Sequence, residues 1–136
     1  MEKAWVRLMR TAPAVLERVQ ADLKAQGLPP LDWYDVLLEL DREPDGRLRQ
    51  TDLGKRLLLA RYNLTRLLDR LEAAGLVRRE PWPDDARSSA IVLTDPGREA
   101  RRQVWPVYAA AVHSHVGDRL DKTELETLAT LLGKLS

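Results

Sequence analysis

LTRLLDRLEAAGLVRREPWPDDARSSAIVLTDPG, residues 64–97, changes its hydrophobic period twice. Leu64, Leu67, Leu68 and Leu71 recur at i, i+3, i+4 and i+7, the spacing of one buried helix face. Gly75 stands just past the last of them, where helices commonly close on a left-handed residue. The pattern then changes to short runs rich in β-branched residues, and Val77–Glu80 and Ala90–Leu93 are expected as paired strands. The loop between them carries Pro81, Trp82, Pro83, the charges Asp84, Asp85 and Arg87, and two serines. Asp95 followed by Pro96 reads as an N-cap with proline in the first helical position.

The flanks read mostly as helix. Trp5, Leu8, Ala12, Val15, Leu16, Val19 and Leu23 keep helical spacing, with Pro13 expected to kink or split the segment. Gly27, Pro29 and Pro30 form a stop, and Asp32 is the expected N-cap of a short helix bearing Trp33, Val36, Leu37 and Leu40. EPDGRLRQ, residues 43–50, reads as a turn with a short strand. A helix near 51–57 turns Leu53 and Leu57 inward, and the next is expected near 61–74. After Asp95 a long helix should run to about Val116, with a kink at Pro106 and an end at Gly117. Asp121 and Glu124 then make a capping-box start for a last helix carrying Leu125, Leu128, Leu132 and Leu135.

Composition narrows the function classes. The 136 residues suit one domain or one compact unit with extensions. There is no cysteine, hence no disulfide framework, thiolate nucleophile or zinc–thiolate site. No apolar run approaches the roughly 18 residues of a membrane span, and MEKAWVRLMR has no signal-peptide core, so a cytoplasmic location is expected. The net charge of +1 hides an uneven distribution: residues 47–102 hold 13 Lys+Arg against 8 Asp+Glu, and the rest 9 against 13. A basic middle inside acidic flanks points to a polyanion-binding segment.

Two helices joined by a short turn and followed by a β-hairpin make a winged helix-turn-helix. The expected fold class is therefore mainly α with a small β-hairpin wing. Residues 31–103 form the winged helix-turn-helix lobe, and residues 1–30 and 104–136 a helical dimerisation domain. With the leucine stripe of the central helix turned inward, Tyr62, Arg66 and Asp69 lie opposite it, and Asn63, Thr65 and Arg70 lie at its flanks. A helix entering the major groove needs such groups: arginine for guanine, asparagine for adenine, threonine and tyrosine for phosphate or a thymine methyl. Lys55, Arg56 and Arg61 are placed to neutralise phosphates. A solvated amphipathic helix would show the same pattern, and the hairpin beyond it tips the balance towards DNA. At the hairpin tip Arg87 suits a narrow minor groove. Asp85 is expected to pair with an arginine and brace the tip.

Residues 50–100, QTDLGKRLLLARYNLTRLLDRLEAAGLVRREPWPDDARSSAIVLTDPGREA, resemble the DNA-binding region of the MarR family of bacterial regulators. The resemblance rests on LTRLLDRLEAAGLV, on the Asp-x-Arg of DDARS and on LTDPG. It covers about residues 30–103 in pattern and the whole chain in helix order. It implies an obligate homodimer whose two lobes read a pseudo-palindromic operator, with Arg87 in the minor groove and Asp85 orienting the wing. It also implies a repressor that leaves DNA when a small aromatic or lipophilic effector binds. The sequence departs from the family pattern at Ala60, Tyr62, Asn63 and Leu64, and Ala86 replaces the second wing arginine of many members.

Apolar residues on the first helix and the last two agree with a dimer, since a monomer would expose them. Trp5, Arg10, Trp33 and Trp105 are candidates for an effector pocket that would hold an aromatic anion, against the alternative of plain core packing. His113 and His115 diverge by about 200° on a helix and cannot share a metal. No metal and no cofactor are expected, and neither is an enzyme: nucleophile–base pairs and glycine-rich phosphate loops are missing. The expected partners are double-stranded DNA, a second copy of the chain and a small-molecule effector, without a membrane. The alternatives are another dimeric winged-helix regulator of PadR-like type, or a winged helix that binds protein instead of DNA.

Overall fold

In the computed structural model, which describes residues 1–59 and 63–136, apolar spacing accounts for most of the helices, and side-chain caps are seen at the last two. They are α1 (Glu2–Ala25), α2 (Leu31–Asp41), β1 (Arg47–Arg49), α3 (Gln50–Arg56), α4 (Leu64–Ala73), β2 (Val77–Trp82), β3 (Asp85–Leu93), α5 (Asp95–His115) and α6 (Lys122–Gly133). A single 3₁₀ turn, Gly117–Arg119, separates the last two helices. The three strands form one antiparallel sheet in the order β1-β3-β2.

The chain divides into two units. One comprises Met1–Gln26 with Pro106–Ser136, and the other Gly27–Trp105. The second unit carries a continuous apolar core. Val36, Leu37 and Leu40 of α2 meet Leu53 and Leu57, the α4 stripe Leu67, Leu68 and Leu71, and Leu48, Val77, Ile91 and Leu93 from the sheet. In the first unit Val19, Leu23 and Ala111 are buried, while Trp5, Met9, Leu131 and Leu132 are exposed.

Several boundaries differ from the sequence reading. Pro13 does not split α1, and Pro106 lies within an uninterrupted α5; each removes one backbone donor from a helix that runs on through it. Helix α2 begins two residues earlier than expected, with Pro30 in the N-cap position; Asp32 sits in the first turn and accepts the N–H of Trp33 at 2.9 Å. Helix α4 begins at Leu64 and not near Arg61, because Asn63 adopts φ 59°, a left-handed conformation that asparagine tolerates. The expectations for Ala60, Arg61 and Tyr62 lie outside the described residues.

The strands are longer than expected and most of the apparent loop is sheet. Pro81 faces Ser89 and Trp82 faces Asp85, leaving Pro83 and Asp84 as the turn. Pro81 is accommodated because β2 is an edge strand with one side free of partners. The cap of α5 is Thr94 and not Asp95: the Thr94 hydroxyl oxygen accepts the N–H of Gly97 at 3.1 Å, and its carbonyl accepts Arg98 N–H. At α6 the expected capping box is present, Asp121 accepting Glu124 N–H at 2.8 Å and Glu124 accepting Asp121 N–H at 3.0 Å.

Candidate nucleic-acid interface

Helix α4 is closed at its C-terminal end by a hydrogen-bond pair that aims β2 away from it. Gly75, at φ 77°, donates its N–H to Glu72, and Leu76 donates to Leu71 at 3.0 Å. The Thr94 hydroxyl donates to the Gly75 carbonyl at 2.6 Å, so the exit of β3 is pinned to the same corner. The helix thus buries its leucines and turns Thr65, Arg66, Asp69 and Arg70 outward.

Among the described residues, the side chains of Lys55, Arg66, Arg70 and Arg87 are exposed and make no hydrogen bond or ion pair. Their charges are available to an outside anion. Arg56 is engaged differently: its guanidinium pairs with Glu43, and that bond holds it above the ordinary arginine value. Thr65 accepts a hydrogen bond from Gln50 at 3.1 Å, which links the start of α3 to α4. Asn63 is exposed and forms the N-terminal boundary of α4, its carbonyl accepting Leu67 N–H at 3.1 Å, so it stands ahead of the helical face and not on its flank.

On the hairpin, Asp85 and Arg87 lie in β3 immediately after the turn. One Asp85 carboxylate oxygen accepts the backbone N–H of Arg87 and the other the hydroxyl of Ser88, both at 3.0 Å. The first of these bonds, then the second, and then the positive charge of Arg49 hold the carboxyl below the ordinary aspartate range. The arginine partner expected for Asp85 is therefore replaced by its own strand, with Arg49 acting only through its field. An aspartate at this place fixes the backbone that carries Arg87 and leaves the guanidinium free.

Four features escaped the sequence reading. Arg79 in β2 reaches α4, where it meets Asp69 at 2.8 Å, Glu72 at 3.0 Å and the Thr65 carbonyl at 3.2 Å. Asp35, buried in α2, accepts the backbone N–H of Leu59 at 2.6 Å and anchors the segment ahead of α4. Arg49 lies 4.7 Å and Arg47 6.0 Å from the Trp82 ring, on the outer face of the sheet. Asp41 receives Arg98 and Arg101, each at 3.1 Å, which seats the first turns of α5 on the end of α2. The only advance sign of the cationic face was the alternation Arg47-Leu48-Arg49.

The four candidate effector residues fall in different units. Trp33 packs on the core of the second unit, and Trp105 stacks on Tyr34 with ring centres 6.5 Å apart. Trp5 and Arg10 are exposed on α1 in the first unit. None of the four lines the open cleft of about 410 Å³ beside the wing, which is bordered by Glu43, Asp45, Arg47, Leu48, Arg49, Asp52, Trp82 and Pro83. In the first unit His115 meets Asp22 at 2.9 Å and His113 meets Asp118 at 3.2 Å.

Residues 26–88, from the end of α1 to the outgoing hairpin, match the model of the MarR family. The chain is similar in structure to Sco3205, a MarR family transcriptional regulator from Streptomyces coelicolor solved in complex with DNA, with TM-score 0.89 and 30% identity over 98% of this chain and 84% of that one. The chain belongs to the MarR family. It is also 34% identical to the HTH-type transcriptional regulator YkoM of Bacillus subtilis, over 92% of this chain and 79% of that one. The transcriptional repressor MprA of Escherichia coli K12 is 29% identical over 93% of this chain and 71% of its own. MarR-family membership makes the chain a transcriptional regulator and not an enzyme, and it displaces the PadR-like alternative. Among the described residues no helix is long and apolar enough to cross a membrane.

Proposed function

We propose that this MarR-family regulator is a homodimeric, cytoplasmic repressor that reads a pseudo-palindromic operator. Helix α4 lies in the major groove, where Asn63, Thr65 and Arg66, with Tyr62, face base edges, and Lys55, Arg61 and Arg70 meet the backbone, with Arg56 approaching it from its pair with Glu43. The wing enters the minor groove with Arg87, held by Asp85. The observation that carries this reading is the pair of unpartnered arginines, Arg66 on α4 and Arg87 at the hairpin tip, in one lobe. The DNA-bound relative supports DNA binding and the repressor relative supports the sign of regulation.

The dimer is supported by apolar side chains of the first unit that find no cover within it. Trp5 and Met9 of α1 are more than half exposed, as is Leu131 of α6. Trp5, Arg10, Trp33 and Trp105 remain our proposed contacts for an aromatic, anionic effector.

Fluorescence anisotropy on a duplex selected by the protein from a random-sequence library tests the central claim. Binding should weaken steeply with salt. Arg66→Ala should cost about 1–3 kcal/mol and relax base preference, whereas Lys55→Ala should weaken all sequences alike. Unchanged affinity in Arg87→Ala would remove the wing from the interface.

A further inference from the structure

Among the described residues Arg79 is the most heavily engaged cation of the lobe, and its engagement is directed at α4. Its guanidinium meets Asp69 at 2.8 Å, Glu72 at 3.0 Å and the Thr65 carbonyl at 3.2 Å, while its backbone N–H donates to Glu72 at 3.0 Å. Three of these contacts span one helical face, and all of them start from the first strand of the wing. Asp69 is 62% exposed at the side chain and stands one turn beyond Arg66 on the outward face. A carboxylate there would face phosphates at close range and repel them, were it left bare.

We infer that Arg79 is a positioning residue for DNA binding, neutralising Asp69 and tying β2 to α4 so that helix and wing present Arg66 and Arg87 in a fixed relation. The inference rests on α4 and the wing forming the DNA interface. Arg79 touches no DNA in this arrangement; it works by removing a repulsive charge from the helix and fixing the angle of the strand beside it. A guanidinium suits the task because its planar fork offers five donors in fixed directions, against the three donors of a compact ammonium.

The test uses the full chain and the selected duplex described above. Arg79→Gln should bind on the order of tenfold more weakly than wild type, as expected for a broken network that couples neighbouring contacts. Asp69→Asn alone should stay within about twofold, because its charge is already neutralised. In the double variant Asp69→Asn/Arg79→Gln, part of the lost affinity should return, because the bare carboxylate is gone while the guanidinium's bonds to Glu72 and Thr65 stay broken. A merely structural arginine would show no such rescue. Arg79→Lys should fall between wild type and Arg79→Gln, since it restores charge without the fork. Thermal melts by circular dichroism identify any loss that comes from unfolding. If Arg79→Gln loosens β2, Asp69→Asn still probes the pair from the exposed face of α4 without touching the strand.

Wild-type affinity in Arg79→Gln, or a double variant no better than Arg79→Gln, overturns the inference. If Arg66→Ala and Arg87→Ala also bind like wild type, the interface reading fails and takes this inference with it. If those two lose affinity while Arg79→Gln does not, this inference fails alone.

Discussion

Asp85 shows how one side chain prepares another. Its two oxygens are filled by the Arg87 N–H and the Ser88 hydroxyl, both at 3.0 Å. Removing them in Asp85→Ala should leave the exposed hairpin folded and lower operator affinity towards that of Arg87→Ala, about threefold to tenfold, with an unchanged melting temperature. Asp85→Asn retains one acceptor for the Arg87 N–H and should lose less. Because the Asp85 carboxyl is held below the ordinary range, its contribution is complete above the unfolded value of about 3.9 and fades only as the pH falls through the lower folded value. Operator affinity should therefore show no Asp85-dependent change between about pH 5 and 8, which a pH series comparing wild type with Asp85→Ala checks. That Asp85 braces the tip was legible from DDARS; the identity of its partners was not. A short polar side chain has several acceptable donors in a hairpin, and the strand register chooses among them.

At the scale of the element, the junction of β3 and α5 shows why LTDPG has its form. Thr94 caps α5 through Gly97 N–H and donates to the Gly75 carbonyl, so one hydroxyl joins three elements. Thr94→Val keeps the shape and removes both bonds, and should cost about 1–2 kcal/mol in urea unfolding. Gly97 is required by contact: a Cβ there would lie 2.0 Å from the Leu76 carbonyl oxygen and 2.8 Å from Leu93. Gly97→Ala should therefore destabilise by about 1–3 kcal/mol, or more where α5 cannot shift, and an unchanged unfolding midpoint would contradict this. Asp95 and Thr94 are both good N-caps in sequence, and local chemistry does not choose between them. The end of the β3 ladder does, since Thr94 N–H bonds to Leu76 at 3.2 Å and leaves its side chain facing the first turn. Strand length was misread for a related reason: prolines are strand breakers in isolation and acceptable on an edge.

At the scale of the whole molecule, the two units differ in how completely they cover themselves. The winged lobe surrounds its leucines, several at zero exposure, with helix and sheet. The other unit leaves Leu128, Leu131 and Leu132 of α6 at 40%, 53% and 42% exposure, in a stripe with spacing i, i+3, i+4. Light scattering should accordingly give twice the 15.5 kDa chain mass, and Leu131→Glu should shift the population towards monomer. A wild-type monomer at micromolar concentration would contradict the homodimer. Pro13 was expected to kink or split α1 and Pro106 to kink α5, and neither helix is interrupted. One missing N–H costs a single bond in helices of 24 and 21 residues, and the remaining ladder carries the helix past it.

The order of elements, the buried face of α4, the apolar stripe of α6, the glycine closing α4 and the charged hairpin after it were determined by sequence alone. These are local matters: a period of 3.6 or 2, a cap or a left-handed residue is written within a few neighbours. The tertiary structure decided which charges remain free. Arg56 is taken by Glu43, Arg79 by Asp69 and Glu72, and Arg98 by Asp41 from 57 residues away, while Arg66, Arg70 and Arg87 are left to the solvent. Composition makes every arginine in the basic segment equivalent. Only the packing of strand against helix brings a carboxylate to one guanidinium and not to the next, and that allocation leaves a basic segment with particular free charges.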